Sequence, residues 1–309
     1  MTRKCLLTLV VVLVPLVAAS VLSGCGSSGG EAAFFTVSER GSYGPNGTIA
    51  FASFGGNGLR YINTINQQGG SVTTLTPSDN DTDLLDEGGF NPAYSPDGTL
   101  VAMASRRGPS NDLFLISATS GDRPTLLTQL TTDPGSDTQP EWSPDGTKIV
   151  FTTNRDGDNN IYTLTVADPT AQAAVDTDPA NDQWACFDPT GTKIAFQSDR
   201  AGNTDIWVKD LVGGALTQVT NSPARDEQPA WSPDGSTILF TSNRAGDFDL
   251  WSVAPDGTGT GLAQITSDGR SDGYPAWKPD GTRITFTRDR QVWVSDPTGA
   301  NPKQLTRTY

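Results

Sequence analysis

Residues 139–151 have the sequence QPEWSPDGTKIVF. In this stretch a Pro-Asp-Gly turn separates the aromatic residue Trp142 from a run of β-branched and aromatic residues that ends at Phe151. Proline fixes the backbone angle at which a tight turn begins, and glycine accepts the left-handed conformation in which such a turn ends. β-Branched and aromatic runs bounded by turn residues are typical of strands. The stretch therefore predicts two antiparallel strands joined by a short turn.

The same turn recurs through most of the chain. Its six glycines, spaced 44 to 51 residues apart, are Gly47, Gly98, Gly146, Gly191, Gly235 and Gly281. An aromatic residue precedes each turn, at Tyr43, Tyr94, Trp142, Phe187, Trp231 and Trp277. A repeat of this length is typical of β-propeller blades.

Each repeat has room for four short strands. A third apolar run follows the second strand, as at residues 161–164, and a fourth run ends in Gln-x-Thr, as at residues 129–131 and 218–220. We therefore predict an all-β fold, a single six-bladed β-propeller of four-stranded antiparallel blades that spans residues 41–309. The ring could close by packing alone, or residues 34–37 could add an edge strand across the seam.

The composition excludes several kinds of chemistry. The 309 residues include no histidine, which removes every catalytic set and metal site that depends on an imidazole. Asp and Glu number 35 against 21 Lys and Arg, so the formal charge is −14, and such a chain is a poor ligand for nucleic-acid phosphates. We expect a protein that is not an enzyme and binds no nucleic acid.

The N-terminus resembles the signal of a bacterial lipoprotein. Arg3 and Lys4 precede an apolar stretch over residues 6–21, and Leu22-Ser23-Gly24-Cys25 matches the lipobox. The resemblance implies that residues 1–24 are a cleaved signal peptide, that Cys25 is lipidated, and that residues 25–40 form a flexible tether. An uncleaved membrane anchor is the alternative, since the apolar stretch is close to the minimum for a spanning helix. We predict export across the cytoplasmic membrane and a lipid-anchored location in the cell envelope, on its periplasmic or outer face.

The repeats also resemble a known family. Residues 139–155 and 228–244 contain the Gln-Pro-x-Trp-Ser-Pro-Asp-Gly motif and a later Asn-Arg pair, and they look like the WD40-like (PD40) repeats of the TolB family. The match is clear in repeats three, five and six, good in two and four, and weak in the first. The resemblance implies a six-bladed propeller that works as a periplasmic protein-binding platform.

An aspartate lies five residues before the pre-turn aromatic in four repeats, at Asp137, Asp182, Asp226 and Asp272. Because innermost strands should begin here, these residues could form a carboxylate ring at the channel mouth that holds Ca²⁺ or captures a basic segment of a partner. The alternative is that each carboxylate pairs with an arginine that recurs with the same period and ties one blade to the next. Those arginines are Arg107, Arg155, Arg200, Arg244 and Arg290.

Three further features are candidates for function or for packing. Residues 156–160 (DGDNN) could be a calcium loop, although their composition favours ordinary turn hydrogen bonds. Cys186 and the recurring tryptophans are expected in the core. Trp184, taken as the replacement of the proline in the Gln-Pro-x-aromatic pattern, is expected at the channel mouth.

The sequence thus favours a non-catalytic platform for another envelope protein or peptide, most simply a basic one. Contact with the membrane is expected through the lipid only. The alternative is a propeller with Ca²⁺ in its channel that binds or acts on a carbohydrate or small molecule. Calcium is the one cofactor that the sequence suggests.

Overall fold

The computed structural model describes residues 36–37, 41–54, 60–76, 89–118 and 128–307. Regular structure in these residues consists of strands in six antiparallel sheets, which confirms the predicted six-bladed propeller. The predicted signal peptide, Cys25 and most of the predicted tether lie outside the described residues. Within the described ranges no helix has the length and apolar character needed to cross a bilayer.

The first three blades contain thirteen strands. Blade 1 consists of β1 (Thr36–Val37), β2 (Ser42–Tyr43), β3 (Thr48–Phe54), β4 (Arg60–Asn66) and β5 (Thr73–Thr74). Blade 2 consists of β6 (Phe90–Tyr94), β7 (Leu100–Ser105), β8 (Asp112–Ser117) and β9 (Thr128–Gln129). Blade 3 consists of β10 (Asp137–Trp142), β11 (Lys148–Thr153), β12 (Asn160–Thr165) and β13 (Asp168–Ala174).

The last three blades contain four strands each. Blade 4 consists of β14 (Asp182–Phe187), β15 (Lys193–Ser198), β16 (Asp205–Asp210) and β17 (Leu216–Gln218). Blade 5 consists of β18 (Asp226–Trp231), β19 (Ile238–Ser242), β20 (Asp249–Val253) and β21 (Ala263–Gln264). Blade 6 consists of β22 (Asp272–Trp277), β23 (Ile284–Arg288), β24 (Gln291–Ser295) and β25 (Lys303–Gln304).

Strands in each blade follow one another in chain order, and the first strand lines the central channel. That innermost strand is irregular. In blade 3 Trp142 pairs with Ile149 and Asp137 with Thr153, but the register shifts between Thr138 and Glu141. The same shift occurs in blades 2, 4, 5 and 6, so a β-bulge interrupts each of these strands at the channel.

The hydrophobic core lies between the blades. The second strand contributes a fully buried phenylalanine in five of them, at Phe51, Phe151, Phe196, Phe240 and Phe286. The pre-turn aromatics reach the preceding blade: Trp142 packs with Ala93 and Leu113, and its Nε1 donates a hydrogen bond to the Ala93 carbonyl at 3.0 Å. Small residues at positions such as Ala93 therefore make space for the indole of the next blade.

The Pro-Asp-Gly turn is held by its own side chains. Gly146 has a φ of 70°, the left-handed conformation that favours glycine, and its N–H donates to the Ser143 carbonyl at 2.9 Å. Asp145 accepts hydrogen bonds from the Ser143 hydroxyl at 2.6 Å and the Thr147 N–H at 3.0 Å. These bonds lower the pKa of Asp145 to about 2. The turn aspartates therefore have a structural role, because their carboxylates stabilise the turn.

The ring closes by packing between blades 1 and 6. Thr36 and Val37 pair with Phe54 and Ser53 of β3, so β1 belongs to the innermost strand of blade 1 and not to an outer edge of blade 6. Blade 6 has four strands of its own, and the seam is filled by a cluster of Tyr43, Ile49, Phe51, Ile65, Val292, Val294 and Leu305. β1 begins at Thr36, five residues before the predicted start of the propeller at residue 41.

Candidate functional site

The topology gives the propeller two faces. The six Pro-x-Gly turns lie at one end of the channel, which we call the turn face. Innermost strands begin at the other end, together with the loops between blades and the loops between second and third strands, and we call this the loop face. The aspartates singled out from the sequence lie on the loop face, each as the first residue of its strand.

These four aspartates are buried. Asp137, Asp182, Asp226 and Asp272 have exposed fractions of 0 or 1%. Each backbone N–H donates to a carbonyl in the preceding blade, at 2.7 to 2.9 Å, and the acceptors are Asn111, Asn159, Thr204 and Phe248. The backbone at this position therefore ties neighbouring blades together.

Their carboxylates are bound by arginines of the same blade. Asp137 contacts Arg155 at 3.2 Å, Asp182 contacts Arg200 at 2.8 Å, and Asp226 contacts Arg244 at 2.7 Å. In two cases the same guanidinium also binds an acid of the inter-blade loop, Asp133 at 2.6 Å from Arg155 and Asp176 at 2.7 Å from Arg200. The arginine thus connects the loop that enters a blade to the strand that follows it.

Each of these guanidinium groups also lies over aromatic rings. Arg200 is 5.3 Å from the ring centroids of Phe196 and Trp207, and Arg244 is 5.2 Å from Phe240 and 5.0 Å from Trp251. Stacking and ion pairing fix the side chain in one place. We call the aspartate, its arginine and the rings the clasp of the blade.

In blade 6 the arginine of the clasp is Arg288 and not Arg290. Arg288 binds Asp272 with its Nε and Nη2, both at 2.5 Å, and also contacts Asp268 at 2.7 Å. The hairpin between β23 and β24 contains only Asp289 and Arg290, which have φ values of 50° and 58°. This shortened turn leaves Arg290 exposed at its tip, so counting from the strand aromatic selects the wrong residue.

Arg107 of blade 2 has no aspartate at the corresponding position of its own blade. Gly89 stands there, and a Cβ at Gly89 would lie 2.2 Å from the sulfur of Met103. Arg107 still lies over an aromatic ring, 5.2 Å from the centroid of Phe114. The carboxylate position is therefore filled by a neighbouring methionine in this blade.

Burial and ion pairing affect both the pKa of these carboxylates and their ability to bind a metal ion. Burial raises the pKa of Asp182 to about 6, against the opposing effects of its hydrogen bonds and of Arg200. Within the described ranges no three acidic or thiol side chains are arranged to hold a metal ion.

The loop considered as a calcium site, residues 156–160, forms an ordinary hairpin turn. Asp156 accepts a hydrogen bond from Tyr162 at 2.7 Å, and the Gly157 N–H donates to the Asn154 carbonyl at 3.0 Å.

A second feature of the loop face is a chain of amides around the channel mouth. The bulge residue of the innermost strand is left-handed in five blades, at Asn91, Gln139, Trp184, Gln228 and Tyr274, with φ between 49° and 57°. The Gln139 N–H donates to the Asn91 side chain at 3.3 Å, and the Trp184 N–H donates to the Gln139 side chain at 3.0 Å. In each case a side-chain amide oxygen of one blade thus accepts a hydrogen bond from the bulge-residue N–H of the next blade.

Trp184 interrupts this chain of amides. Its indole supplies no carbonyl, and the Gln228 N–H donates instead to Gln197 of β15, at 3.0 Å. The chain resumes where the Tyr274 N–H donates to Gln228 at 2.8 Å. The structure therefore aligns Trp184 with the glutamine of the Gln-Pro-x-aromatic motif, and the alignment with its proline was wrong by one residue.

Trp184 and Tyr274 meet at the mouth of the channel. The former belongs to blade 4 and the latter to blade 6, yet their ring centroids are 5.2 Å apart at an interplanar angle of 62°. Both side chains are half-buried. Sequence analysis missed Tyr274, although its position as the glutamine of Tyr274-Pro275-Ala276-Trp277 could have indicated it.

A glutamate precedes the bulge residue of blade 5, the blade between those of Trp184 and Tyr274. Glu227 precedes Gln228 in blade 5, and Gly273 holds the same position in blade 6. A Cβ at Gly273 would lie 3.2 Å from the Gln228 side chain, the bulge residue of the preceding blade. Glu227 thus lies beside the bulge residue of blade 5, at the strand position that Gly273 holds in blade 6. Glu227 forms an ion pair with Arg225, whose side chain is 61% exposed.

Comparisons with known proteins support the fold. The structure of a protein named TolB from Agrobacterium tumefaciens is 23% identical with a TM-score of 0.65, over 76% of this chain and 84% of that chain. TolB from Acinetobacter baumannii is 20% identical with a TM-score of 0.65, over 77% of this chain and 56% of that one. The propeller of the trilobed protease from Pyrococcus furiosus, described as having an open velcro topology, is 11% identical with a TM-score of 0.58, over 89% and 98% of the two chains.

Enzymes also occur among the similar folds, including an oligogalacturonate lyase and a puromycin hydrolase. At such low identity these similarities indicate the fold alone. No curated protein matches the sequence. The sequence profile of the TolB β-propeller domain, PD40, matches residues 81–185 and 179–309, so this chain belongs to the PD40 family of TolB-type β-propellers.

Proposed function

We propose that this protein is a non-catalytic lipoprotein of the cell envelope, and that its propeller binds a peptide segment of another protein at the loop-face mouth of the channel. One observation carries the proposal: Trp184 and Tyr274 replace amide residues of the repeat and meet across the mouth, in left-handed backbone. A bulky side chain in this conformation is strained, and such strain is often kept at binding sites.

The chemistry of the mouth favours a basic segment. Two aromatic rings and the amides of Gln139 and Gln228 lie at the opening, and Glu227 is the strand neighbour of Gln228. An arginine or lysine side chain would be attracted by ring faces and carboxylate together. The formal charge of −14 would steer such a partner toward the protein.

The envelope location rests on the lipobox at residues 22–25. Changing Cys25→Ser should abolish incorporation of a radiolabelled fatty acid and move the protein from the membrane fraction to the soluble fraction. Retention in membranes without lipid incorporation would instead indicate an uncleaved anchor formed by residues 6–21.

The binding role is tested by cross-linking in intact envelopes followed by affinity capture. We expect a partner that is recovered with the wild-type chain and lost with Trp184→Ala/Tyr274→Ala. Leu211→Ala/Leu216→Ala is the matched control, because both leucines are exposed in blade 4 and lie away from the mouth. Equal recovery with both double variants would overturn the proposed site.

A further inference from the structure

Blade 3 has a longer outer strand than the other blades. β13 has seven residues, whereas β5, β9, β17, β21 and β25 have two or three each in the part of the chain that the structure describes. Ala171, Ala173 and Ala174 of β13 are exposed. Short edge strands are one way in which proteins avoid pairing with other chains, and blade 3 lacks this protection.

The outer edge of β13 presents backbone groups that face away from its own blade. On the inner side, the Val175 N–H donates to the Ile161 carbonyl of β12 at 2.8 Å. Because the N–H and C=O groups of an antiparallel strand alternate in direction, those of Ala173 also face β12, and those of Gln172 and Ala174 face outward. An added strand would form its hydrogen bonds with these two outward residues.

The outer strand of blade 4 is covered by a loop of the next blade, and the corresponding loop leaves β13 uncovered. In blade 5 the loop between the third and fourth strands comprises residues 254–262, and a Cβ at its Gly257 would lie 2.7 Å from the Gln218 carbonyl oxygen of β17. In blade 4 the loop is shorter, residues 211–215, and a Cβ at Gly214 would meet no atom within 4 Å. β13 therefore lacks the cover that β17 receives.

The arginine of the clasp in blade 3 holds β13 in place. Arg155 donates from Nη1 to the side-chain oxygen of Gln172 at 2.5 Å, and the Gln172 side-chain amide donates to the Pro169 carbonyl at 3.0 Å. A strand that is already ordered costs little further conformational entropy when a partner adds to it. The edge is thus pre-organised for pairing.

Charge determines which partner suits this edge. Residues 169–175 carry no charge, but Asp168 is exposed at one end of the strand, and Asp176 and Asp178 follow the other end. An antiparallel pair with a second copy would bring these acids together, in a chain whose formal charge is already −14. A segment with lysine or arginine at its ends would meet opposite charges and be steered toward the protein.

We infer that the edge of β13 is a docking site for an extended segment of another protein, which carries lysine or arginine at its ends and adds a fifth strand to blade 3. Hydrogen bonds to the backbone of Gln172 and Ala174 supply the affinity, and the small side chains of β13 leave room for the side chains of the partner. The site lies on the outermost strand and not at the channel. The inference therefore does not depend on the function proposed for the loop face.

The test uses a capped synthetic peptide, Lys-Val-Thr-Val-Thr-Val-Lys, and NMR spectra of the isotope-labelled protein. We expect saturable shifts of the backbone amides of Gln172 and Ala174, and an affinity higher by about tenfold or more than that of the same peptide with glutamate in place of lysine. Equal affinity of the two peptides would overturn the inference with the unaltered protein alone. So would the absence of saturable shifts at these amides up to about 10 mM peptide.

A pair of variants locates the site. Ala174→Pro removes an outward N–H from β13, at an edge position where proline is tolerated, and should weaken binding by about tenfold or more. Leu216→Pro is the matched control in β17: the Asp210 N–H donates to the Ala215 carbonyl, so the N–H of Leu216 points outward. This control should bind the peptide as the wild type does, and thermal unfolding checks that both variants fold. Binding that survives Ala174→Pro would refute the site.

Two further measurements separate this site from the alternatives. Trp184→Ala/Tyr274→Ala should still bind the peptide, and loss of binding in this double variant would place the peptide at the channel mouth and refute the docking site. Sedimentation equilibrium of the free chain should show a monomer. A dimer that Ala174→Pro dissociates would assign the edge of β13 to a second copy and overturn the proposed partner.

Discussion

A single arginine holds three parts of blade 4 together. Arg200 binds Asp176 in the loop from blade 3, binds Asp182 at the start of the innermost strand, and lies over the rings of Phe196 and Trp207. A buried carboxylate that loses its partner is strongly destabilising, whereas an exposed ion pair contributes little. Arg200 should therefore contribute much more to stability than Arg283, which forms an ion pair with the partly exposed side chain of Asp296.

We expect Arg200→Met to lower the free energy of unfolding by about 3–5 kcal/mol, because it leaves Asp182 buried beside an apolar side chain. Arg283→Met is the control and should cost about 0.5 kcal/mol or less, since the side chains of Arg283 and its partner Asp296 are 41% and 32% exposed. Urea unfolding measures both. Adding Asp182→Asn to Arg200→Met should recover part of the loss; similar costs for the two single variants would contradict a structural clasp.

Asp182 also predicts a pH dependence. Burial raises its pKa to about 6 in the folded protein, above the ordinary value near 3.8. Between these two values the folded state holds a proton that the unfolded state releases. The free energy of unfolding therefore falls as the pH rises from about 4 to 6, by up to about 1.4 kcal/mol per pH unit. The loss continues through the folded pKa and levels off about one pH unit above it.

The measurement compares thermal unfolding of the wild type and Asp182→Asn from pH 4 to 7. Because the variant does not titrate at this site, wild-type stability relative to the variant should fall across this range and then level off. A relative stability that rises with pH would show that Asp182 behaves as an ordinary ion-paired acid with a lowered pKa.

At the scale of elements, the Pro-x-Gly turn gives each blade its first hairpin. Gly146 needs its left-handed φ of 70°, while its hypothetical Cβ would meet no atom closer than 3.8 Å. The cost of a side chain there is therefore conformational and not steric. Gly108, in the loop between β7 and β8, has free space around it and no left-handed φ, so it is a matched control.

We expect Gly146→Ala to destabilise the protein by about 1–2 kcal/mol, the cost of the left-handed conformation for an L residue. Gly108→Ala should change stability by about 0.5 kcal/mol or less, or raise it slightly by restricting the unfolded chain. Chemical unfolding of the two variants distinguishes these results. Equal effects would mean that the turn can relax into a conformation suited to alanine.

The spacing of the turns was enough to predict the number of blades and their strands, because each blade must present the same faces to its neighbours. It could not predict where loops change length. The hairpin between β23 and β24 has two residues and that between β11 and β12 has six, which moves the clasp from Arg290 to Arg288. The alignment of Trp184 is different, because counting three residues back from the pre-turn aromatic gives Gln139 in blade 3 and Trp184 in blade 4, so the sequence alone places Trp184 at the glutamine position.

For the whole molecule, the clasps and their hydrogen bonds are not distributed equally over the junctions between blades. The backbone bond from the first residue of an innermost strand to the preceding blade occurs at the four junctions from blades 2–3 to blades 5–6. In the sequence, a serine takes the place of the clasp aspartate in the first repeat, and β1 pairs within its own blade. Among the described residues, blades 1 and 6 are joined by apolar packing around Tyr43, Phe51 and Val292 and by a hydrogen bond from the Lys303 side chain to the Gln68 carbonyl.

This difference predicts where the ring opens. Local opening needs least free energy where fewest hydrogen bonds and ion pairs cross between blades. We expect amides of β3 and β23, on the two sides of the seam, to exchange hydrogen about tenfold faster or more than those of β15 and β19. Hydrogen exchange followed by mass spectrometry measures this, with β15 as the matched second strand inside the ring. Uniform protection around all six blades would contradict this prediction. It would mean that the contacts between blades 1 and 6 resist local opening as well as those at the other junctions.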